Sequence, residues 1–248
     1  MQGQDQANSY ISSALGAVAE FPAVVKNIFL TQEKNDAGIY AFKFYIRGKP
    51  WVVTVDDYFL FTNNATSGDR MPYFSTIGRN QQFWGMLLEK AWAKVKGTYS
   101  MSDSGYKANG LKAVVGCPVA SYSTSGQDAD LLFTVIKDAN DLNYIMAAGT
   151  TGTTGELNSC GIPQNHGFSL LAGFELTTSG STDYKMYMLR DPWGASTYNG
   201  SFNENDAAWT SAYRGEVPNG VDPIDSVTTN DGIFFVTHTD FLTCFSDF

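Results

Sequence analysis

The chain has 248 residues, a formal net charge of −9, 43% hydrophobic residues and 14% aromatic residues. This composition excludes wholesale disorder, and the length fits one large domain or two modest ones. The acidic balance argues against duplex nucleic acid and anionic membrane surfaces as partners, because no basic excess is available to neutralise phosphates. No apolar run is long enough to predict a membrane span.

Two helices are predicted in the first part of the chain. Tyr10–Val18 is short and rich in small residues, and Asn8 and Ser9 precede it in the positions of an N-cap. The second helix, over Gln81–Lys96, has apolar residues at a helical spacing, and Gly97 is placed to end it.

Strands are predicted in both parts of the chain, with the greater share in the second. Runs 38–46 and 51–55 predict a hairpin with its turn at Gly48-Lys49-Pro50. A Gly- and Ser-rich stretch at 102–110 marks the expected boundary between units 1–108 and 109–248. The strands predicted beyond it are 113–118, 131–137, 143–147, 168–176, 184–189 and 233–237. The fold class is therefore α+β, with a helix-rich first unit and an antiparallel sheet in the second.

The three cysteines stand far apart, and their number is odd. This pattern predicts no disulfide framework and favours a reducing compartment. Cys160 is expected to be an ordinary loop thiol, and Cys117 and Cys244 are expected to be small buried side chains. Neither a paired-cysteine motif nor a His-Glu-x-x-His motif is present, so structural zinc is not expected.

Four stretches carry the strongest functional signal. They are QGQDQANSYISSALG from Gln2, QQFWGMLLEKAWAKVKGTY from Gln81, NHGFSLLAGF from Asn165 and LRDPWGASTYNG from Leu189. In this order and spacing, the set resembles the protease core of the calpain family of cysteine proteases, over nearly the whole chain. The resemblance implies a papain-like, two-lobed fold that cleaves proteins by thiol chemistry, with nucleophile and base contributed by opposite lobes.

The resemblance assigns His166 as the catalytic base. A cysteine protease needs an imidazole that takes the thiol proton, and an amide or carboxylate that orients the ring. Asp191 stands where the family carries its orienting Asn; it can accept from an imidazole N–H, but it is an anion where Asn is neutral. Trp193 is expected to shield this contact from water. Taken alone, a single histidine is more often structural.

The nucleophile position departs from the family pattern. The segment from Asn8 to Leu15 aligns with the family's nucleophile segment and places Ser9 at the position of the cysteine. A serine hydroxyl is not ionised near neutral pH, so we expect little or no peptidase activity. Gln2 is the candidate for the family's oxyanion glutamine, although it stands one residue too far from Ser9. Without the resemblance, Ser9 would be an ordinary N-cap.

Cores of this family commonly bind Ca²⁺, one ion in each lobe. Glu204 and Asp231 fall near acidic ligand positions of the second lobe, whereas Thr197 and Ile233 stand where further carboxylates are expected. We therefore expect calcium binding to be weak, altered or absent.

Three functions stay open from the sequence. The first is a calpain-like endopeptidase core whose cysteine was deliberately replaced by serine. The second is a natural pseudoprotease that binds peptides as extended strands. The third, a carbohydrate-binding or adhesin module, would account for the Gly- and Thr-rich loop at 149–155 but not for the helix over 81–96. The expected partners are protein or peptide substrates and regulatory domains outside this chain, and the expected location is cytoplasmic.

Overall fold

Tertiary contacts divide the chain into two units, Met1–Ala120 and Ser121–Phe248. The structure is a computed structural model, and it describes residues 8–63, 70–72, 75–77, 82–178, 180–224 and 231–248. The sequence places the boundary earlier, between residues 108 and 109. Residues 109–115 stay with the first unit because they belong to a helix, Lys107–Val115, that packs against other elements of that unit.

The first unit combines helices with short antiparallel strand pairs. Its elements are α1 (Ser9–Val18), α2 (Pro22–Ile28), β1 (Ile39–Ile46), β2 (Lys49–Asp56), β3 (Phe61–Asn63), β4 (Arg70–Pro72), α3 (Trp84–Lys96) and α4 (Lys107–Val115). Strand β1 pairs with β2, and β3 pairs with β4. The predicted hairpin is confirmed, but its turn is made by Arg47 and Gly48, both with positive φ, and Lys49 and Pro50 already belong to β2.

Helices α1, α3 and α4 pack closely in this unit. Trp92 on α3 donates a hydrogen bond from Nε1 to the Tyr10 hydroxyl on α1, at 2.7 Å. Gly110 on α4 lies so near α1 that a Cβ there would come within 3.1 Å of the Tyr10 carbonyl oxygen. The side chain of Tyr10 is buried as a result, and burial raises the pKa of its hydroxyl.

The strand predicted over 113–118 is wrong. These residues begin in α4, and the chain leaves the helix at Gly116, whose φ of 77° is left-handed. Gly116 is the C-cap and its backbone N–H donates to the Lys112 carbonyl, so the short apolar run before it is the last turn of a helix.

The second unit is built on a four-stranded antiparallel sheet. Its elements are α5 (Ala129–Asp141), β5 (Met146–Gly149), β6 (Gly167–Thr178), β7 (Ser181–Arg190), α6 (Ser211–Arg214), β8 (Ile233–Thr237) and α7 (His238–Cys244). The strands follow in the order β5-β6-β7-β8. The α+β class is confirmed, as are the predicted strands 168–176, 184–189 and 233–237.

The strand predicted over 131–137 is also wrong, because these residues lie in α5. Asp128 caps this helix by accepting from the Leu131 N–H at 2.9 Å. The buried side chains on the helix, Leu132, Phe133 and Ile136, follow a helical spacing. The strand predicted over 143–147 is confirmed only from Met146, after Asn143 turns the chain with a φ of 57°.

A register shift in β6 lets one strand supply side chains to two apolar clusters. Phe168 and Leu170 belong to the cluster that also contains residues of α5 and α7. After the irregularity between Leu170 and Ala172, the residues Ala172 and Phe174 belong to a second cluster. One extra residue reverses which face the following side chains occupy, so Phe168 and Leu170 pack in one cluster and Ala172 and Phe174 in the other.

Cys160 and Cys244 form a disulfide, contrary to the sequence prediction that both were free. Their Cα atoms are 6.1 Å apart, within the usual range for a disulfide. Asn158 supports the same contact, since its Oδ1 accepts from the Cys160 N–H at 2.9 Å and its Nδ2 donates to the Cys244 carbonyl at 2.9 Å. Cys117 is exposed, so the prediction that it is buried is also wrong. None of the described helices combines the length and the apolar character needed to cross a membrane.

Candidate active site

His166 lies in the second unit, immediately before β6. Its backbone is fixed on both sides, because its N–H donates to Thr150 Oγ1 at 3.1 Å and its carbonyl accepts from the Thr150 N–H at 3.0 Å. Asn165 precedes it with a φ of 48° and turns the chain into the strand. The side chain of His166 is almost fully buried.

Asp191 follows β7 directly and contacts the His166 ring. The antiparallel pairing of Ser169 with Arg190 brings the start of β6 beside the end of β7. His166 Nε2 and Asp191 Oδ1 are 3.0 Å apart, and Asp191 is only 2% exposed. When Asp191 is ionised it can only accept, so the hydrogen bond is then donated by the Nε2–H group. The predicted pairing of His166 and Asp191 is therefore present.

The carboxylate of Asp191 is held by its own turn. Its Oδ1 also accepts from the Trp193 N–H at 2.9 Å, and its carbonyl accepts from the Gly194 N–H at 3.0 Å. Its N–H donates to the Gly232 carbonyl at 2.8 Å. A Cβ on Gly232 would come within 2.3 Å of the Asp191 carbonyl oxygen, and Gly232 has a φ of 77°. This approach needs a glycine.

Two aromatic rings enclose the imidazole. The Trp193 ring lies 4.3 Å from the His166 ring between centroids, tilted by 46°. The Phe168 ring meets it edge-on at 4.8 Å. These rings keep the His166–Asp191 hydrogen bond in an apolar surrounding, which strengthens it relative to water. The shielding role expected of Trp193 fits this arrangement.

Ser9 lies in the first unit, where it is the first residue of α1 and is buried. Asn8 precedes it as the N-cap residue, but the Asn8 side chain makes no capping hydrogen bond. The N-terminus of a helix favours negative charge, so the position of Ser9 suits a nucleophile that becomes anionic.

Asn8 is turned instead toward α3. Its Nδ2 donates to Glu89 Oε1 at 2.7 Å, and Glu89 Oε2 accepts from the Ser75 N–H at 2.8 Å. Glu89 is 2% exposed, and burial raises its pKa although the hydrogen bonds from Ser75 and Asn8 act in the opposite direction. This buried carboxyl is a contact that the sequence reading missed; its position within a largely apolar helix was the available signal.

Comparison with known proteins identifies the family. A model of the calpain family of cysteine proteases matches residues 1–248. The chain belongs to the calpain family. The individual calpain-type proteins described next are less than 30% identical to this chain, and the match covers only part of the length of each.

The curated relatives include plant and vertebrate proteins. A calpain-type cysteine protease, DEK1, from Zea mays is 24% identical over 237 residues, which are 92% of this chain and 10% of the relative. The calpain-2 catalytic subunit from Mus musculus is 29% identical over 225 residues, which are 86% of this chain and 29% of the relative. The chain therefore spans less than a third of the length of these relatives. It is a calpain-like cysteine protease catalytic domain.

Of the residues predicted for this calpain-type site, Gln2 lies outside the described residues. Glu204 and Asp231 are described, but Asp231 Oδ1 accepts from the Ile233 N–H at 2.9 Å, which commits that oxygen to the turn before β8. Within the described ranges, no group of three or more His, Cys, Asp or Glu side chains is arranged to hold a metal ion. Calcium binding at Glu204 and Asp231 therefore stays a prediction, since Ca²⁺ also takes carbonyl and water oxygens as ligands.

Proposed function

We propose that this calpain-like core carries its nucleophile position at residue 9 and that serine there leaves it without peptidase activity. The observation that carries the proposal is the buried pair of His166 and Asp191, which has the geometry required of an oriented base. Ser9 supports it from the first unit, because it begins a helix of ten residues.

In the proposed reaction a cysteine at residue 9 would pass its thiol proton to His166 Nδ1, and Asp191 would hold the resulting imidazolium in place. The sulfur would bond to the substrate carbonyl carbon, the peptide C–N bond would break, and the imidazolium would return the proton to the leaving amine. Water would then hydrolyse the thioester, with His166 accepting and returning a proton. With serine, the first proton transfer starts from a far weaker acid, so the ion pair does not form.

The proposal also covers the substrates, the regulatory segments and the cellular location of this core. Protein or peptide substrates follow from the peptidase chemistry, and regulatory segments would belong to the parts of a longer protein that this chain does not cover. Calcium binding stays a prediction, and no step of the proposed reaction is assigned to the ion. A cytoplasmic location stays a prediction; the Cys160–Cys244 disulfide is more typical of an oxidising compartment.

The test is the Ser9→Cys variant, assayed with casein and with a fluorogenic peptide. We expect hydrolysis to rise at least about a thousandfold above the unmodified chain, together with labelling of residue 9 by an epoxide inhibitor of thiol proteases. Ser12→Cys is the matched control, since it places a thiol one turn further along α1. A folded Ser9→Cys protein with neither hydrolysis nor labelling would defeat the proposal.

The serine itself favours a second candidate function, a peptide-binding module. In that case the unmodified chain would bind extended peptides through main-chain hydrogen bonds without cleaving them. Titration of the unmodified chain with an uncleaved casein peptide, followed by fluorescence anisotropy, would detect this binding. A Ser9→Cys protein that folds but stays inactive, while the unmodified chain binds the peptide, would favour the second function over the first.

A further inference from the structure

The two residues that flank residue 9 in the chain are both hydrogen-bonded to side chains of α3. Asn8 is bound by Glu89, at 2.7 Å, and Tyr10 is bound by Trp92, also at 2.7 Å. Glu89 and Trp92 lie three positions apart on α3, so they occupy one face of the helix, a single turn from each other. All four side chains are buried.

We propose that Glu89 is a positioning residue for the nucleophile position, acting through Asn8. The inference rests on the proposed function, because it assigns Glu89 a part in the reaction that residue 9 would perform. Glu89 touches neither substrate nor reacting atoms. Its carboxyl fixes the residue whose carbonyl group is joined to the nitrogen of residue 9.

The hydrogen bonds of Asn8 show how this positioning works. Its carbonyl accepts from the Ile11 and Ser12 N–H groups at 3.0 and 3.2 Å, so its backbone is tied to the first turn of α1. Its amide is tied to Glu89 rather than folded over the helix end as a cap. Together these contacts fix the peptide plane between Asn8 and Ser9, and the N–H of residue 9 in that plane could donate to an oxyanion formed at the nucleophile.

The surroundings of Glu89 make a purely structural carboxylate costly. Glu89 lines a small cavity with Phe59, Leu60, Ser75, Met86 and Tyr99. Burial raises the pKa of Glu89 and also that of Tyr99, the latter with a contribution from the charge of Glu89. A carboxyl kept in such a place, with both oxygens accepting hydrogen bonds, is typical of a group that orients a functional residue.

The test compares two neutral replacements in the Ser9→Cys protein. Glu89→Gln keeps the length and can hydrogen-bond Ser75 and Asn8 once the Asn8 amide rotates, because each amide has one acceptor and one donor side. Glu89→Met has a similar length, fills the space and makes neither hydrogen bond. Since both variants lack the charge, their difference reports the hydrogen bonds alone.

We expect kcat of Glu89→Met to be at least about tenfold below that of Glu89→Gln, with KM changed less than about threefold, because the substrate contacts remain and the reacting geometry does not. The rate at which iodoacetamide alkylates residue 9 should differ between the two variants as well. Val114→Ala, a core truncation in α4 of the same unit, is the control for loss of stability.

Equal kcat values and equal alkylation rates for the two Glu89 variants would overturn the proposal. A fall in kcat as large in Val114→Ala, at the same loss of thermal stability, would overturn it too. If Ser9→Cys itself proves inactive, the proposed function fails, but the alkylation rates of residue 9 still decide whether Glu89 positions it.

Discussion

The His166 end of the sheet and the first turn of α1 differ in what each still needs for catalysis. In the second unit, imidazole and carboxylate are already 3.0 Å apart beneath Trp193, and the pair requires no change of residue. In the first unit, Ser9 begins a helix and its two chain neighbours are hydrogen-bonded by α3, but its side chain has an oxygen where the proposed reaction uses a sulfur.

This difference shows that scaffold and reactivity are separate properties. Backbone turns, buried hydrogen bonds and ring packing set the scaffold in both units, and they do not depend on the identity of the nucleophilic atom. Reactivity depends on the acidity of one side chain. Once Ser9→Cys supplies the sulfur in the first unit, substitutions in the second unit can be examined with no further change to the first.

The largest effect is expected from His166. In the Ser9→Cys protein, His166→Ala should lower kcat/KM by at least about a thousandfold, because no other group is proposed to take the thiol proton. Circular dichroism and thermal unfolding would show whether the variant folds. Retained activity in a folded variant would contradict the role proposed for His166.

Substitutions at Asp191 separate orientation from charge. Asp191→Asn should keep kcat/KM within about tenfold of the Ser9→Cys protein, because an amide oxygen can still accept from Nε2–H, as in other cysteine proteases. Asp191→Ala should lower it by about a hundredfold. The pair is assayed with one peptide under the same conditions. If Asn proves as damaging as Ala, the negative charge rather than the orientation of His166 is what matters.

Loss of the disulfide should lower stability rather than chemistry. It closes a span of 84 residues that includes His166 and Asp191, so Cys160→Ser should lower the free energy of unfolding by about 4 kcal/mol. Urea denaturation measures this, and Cys117→Ser is the matched control because Cys117 is exposed and unpaired. A Cys160→Ser protein as stable as this control would show that the bond does not hold the unit together.

A smaller, pH-dependent effect is expected from His238 on α7. Burial first, and then the charge of Lys185, lower its pKa below the ordinary value of 6.5, and the Tyr187 hydroxyl lies 2.8 Å from Nδ1. The unfolded chain therefore binds the proton more readily. The stability from neutral His238 is present above pH 6.5 and is lost as the pH falls through the lower, folded-state pKa.

Thermal unfolding between pH 7.5 and 5.5 measures this loss. The melting temperature should fall by a few degrees over that range, and His238→Asn should reduce the fall because an amide oxygen can replace Nδ1 as acceptor without titrating. An unchanged pH dependence in His238→Asn would assign the fall to other groups.

The smallest effect is expected from calcium. Addition of Ca²⁺ should leave the melting temperature within about 1 °C and the activity of Ser9→Cys within about twofold, because a ligand that does not bind the folded state cannot stabilise it. EDTA and Mg²⁺ provide the controls. A clear stabilisation by Ca²⁺ alone would contradict this expectation and show that the folded chain holds a calcium site.

The sequence predicted those features that depend on local pattern. The β1–β2 hairpin, strand β8 and the α3 helix follow from alternating or helical spacing with glycines at their ends. The association of His166 with Asp191 followed from the family resemblance, because the ordered motifs specify an arrangement that no single histidine reveals.

Features that depend on distant contacts were missed. The run 131–137 contains aromatic and β-branched residues that suit a strand, and these outweighed two local signals of a helix, the Asp128 cap and the helical spacing of the buried residues; packing against β6 is the distant contact. Nothing in a spacing of 84 residues indicates that Cys160 meets Cys244. Likewise, Glu89 looks like one more charged residue on a helix until Asn8 is placed beside it.

Gly232 carries a consequence for how this core can vary. Any L-amino acid there would have to push aside the peptide that leads into the DPWG turn, and so would shift the acceptor that orients the imidazole. Gly48 and Gly126 also have positive φ, yet a Cβ at either would meet nothing within 4 Å. In a saturation library of the Ser9→Cys protein, Gly48 and Gly126 should tolerate asparagine, whereas active clones should retain glycine at position 232.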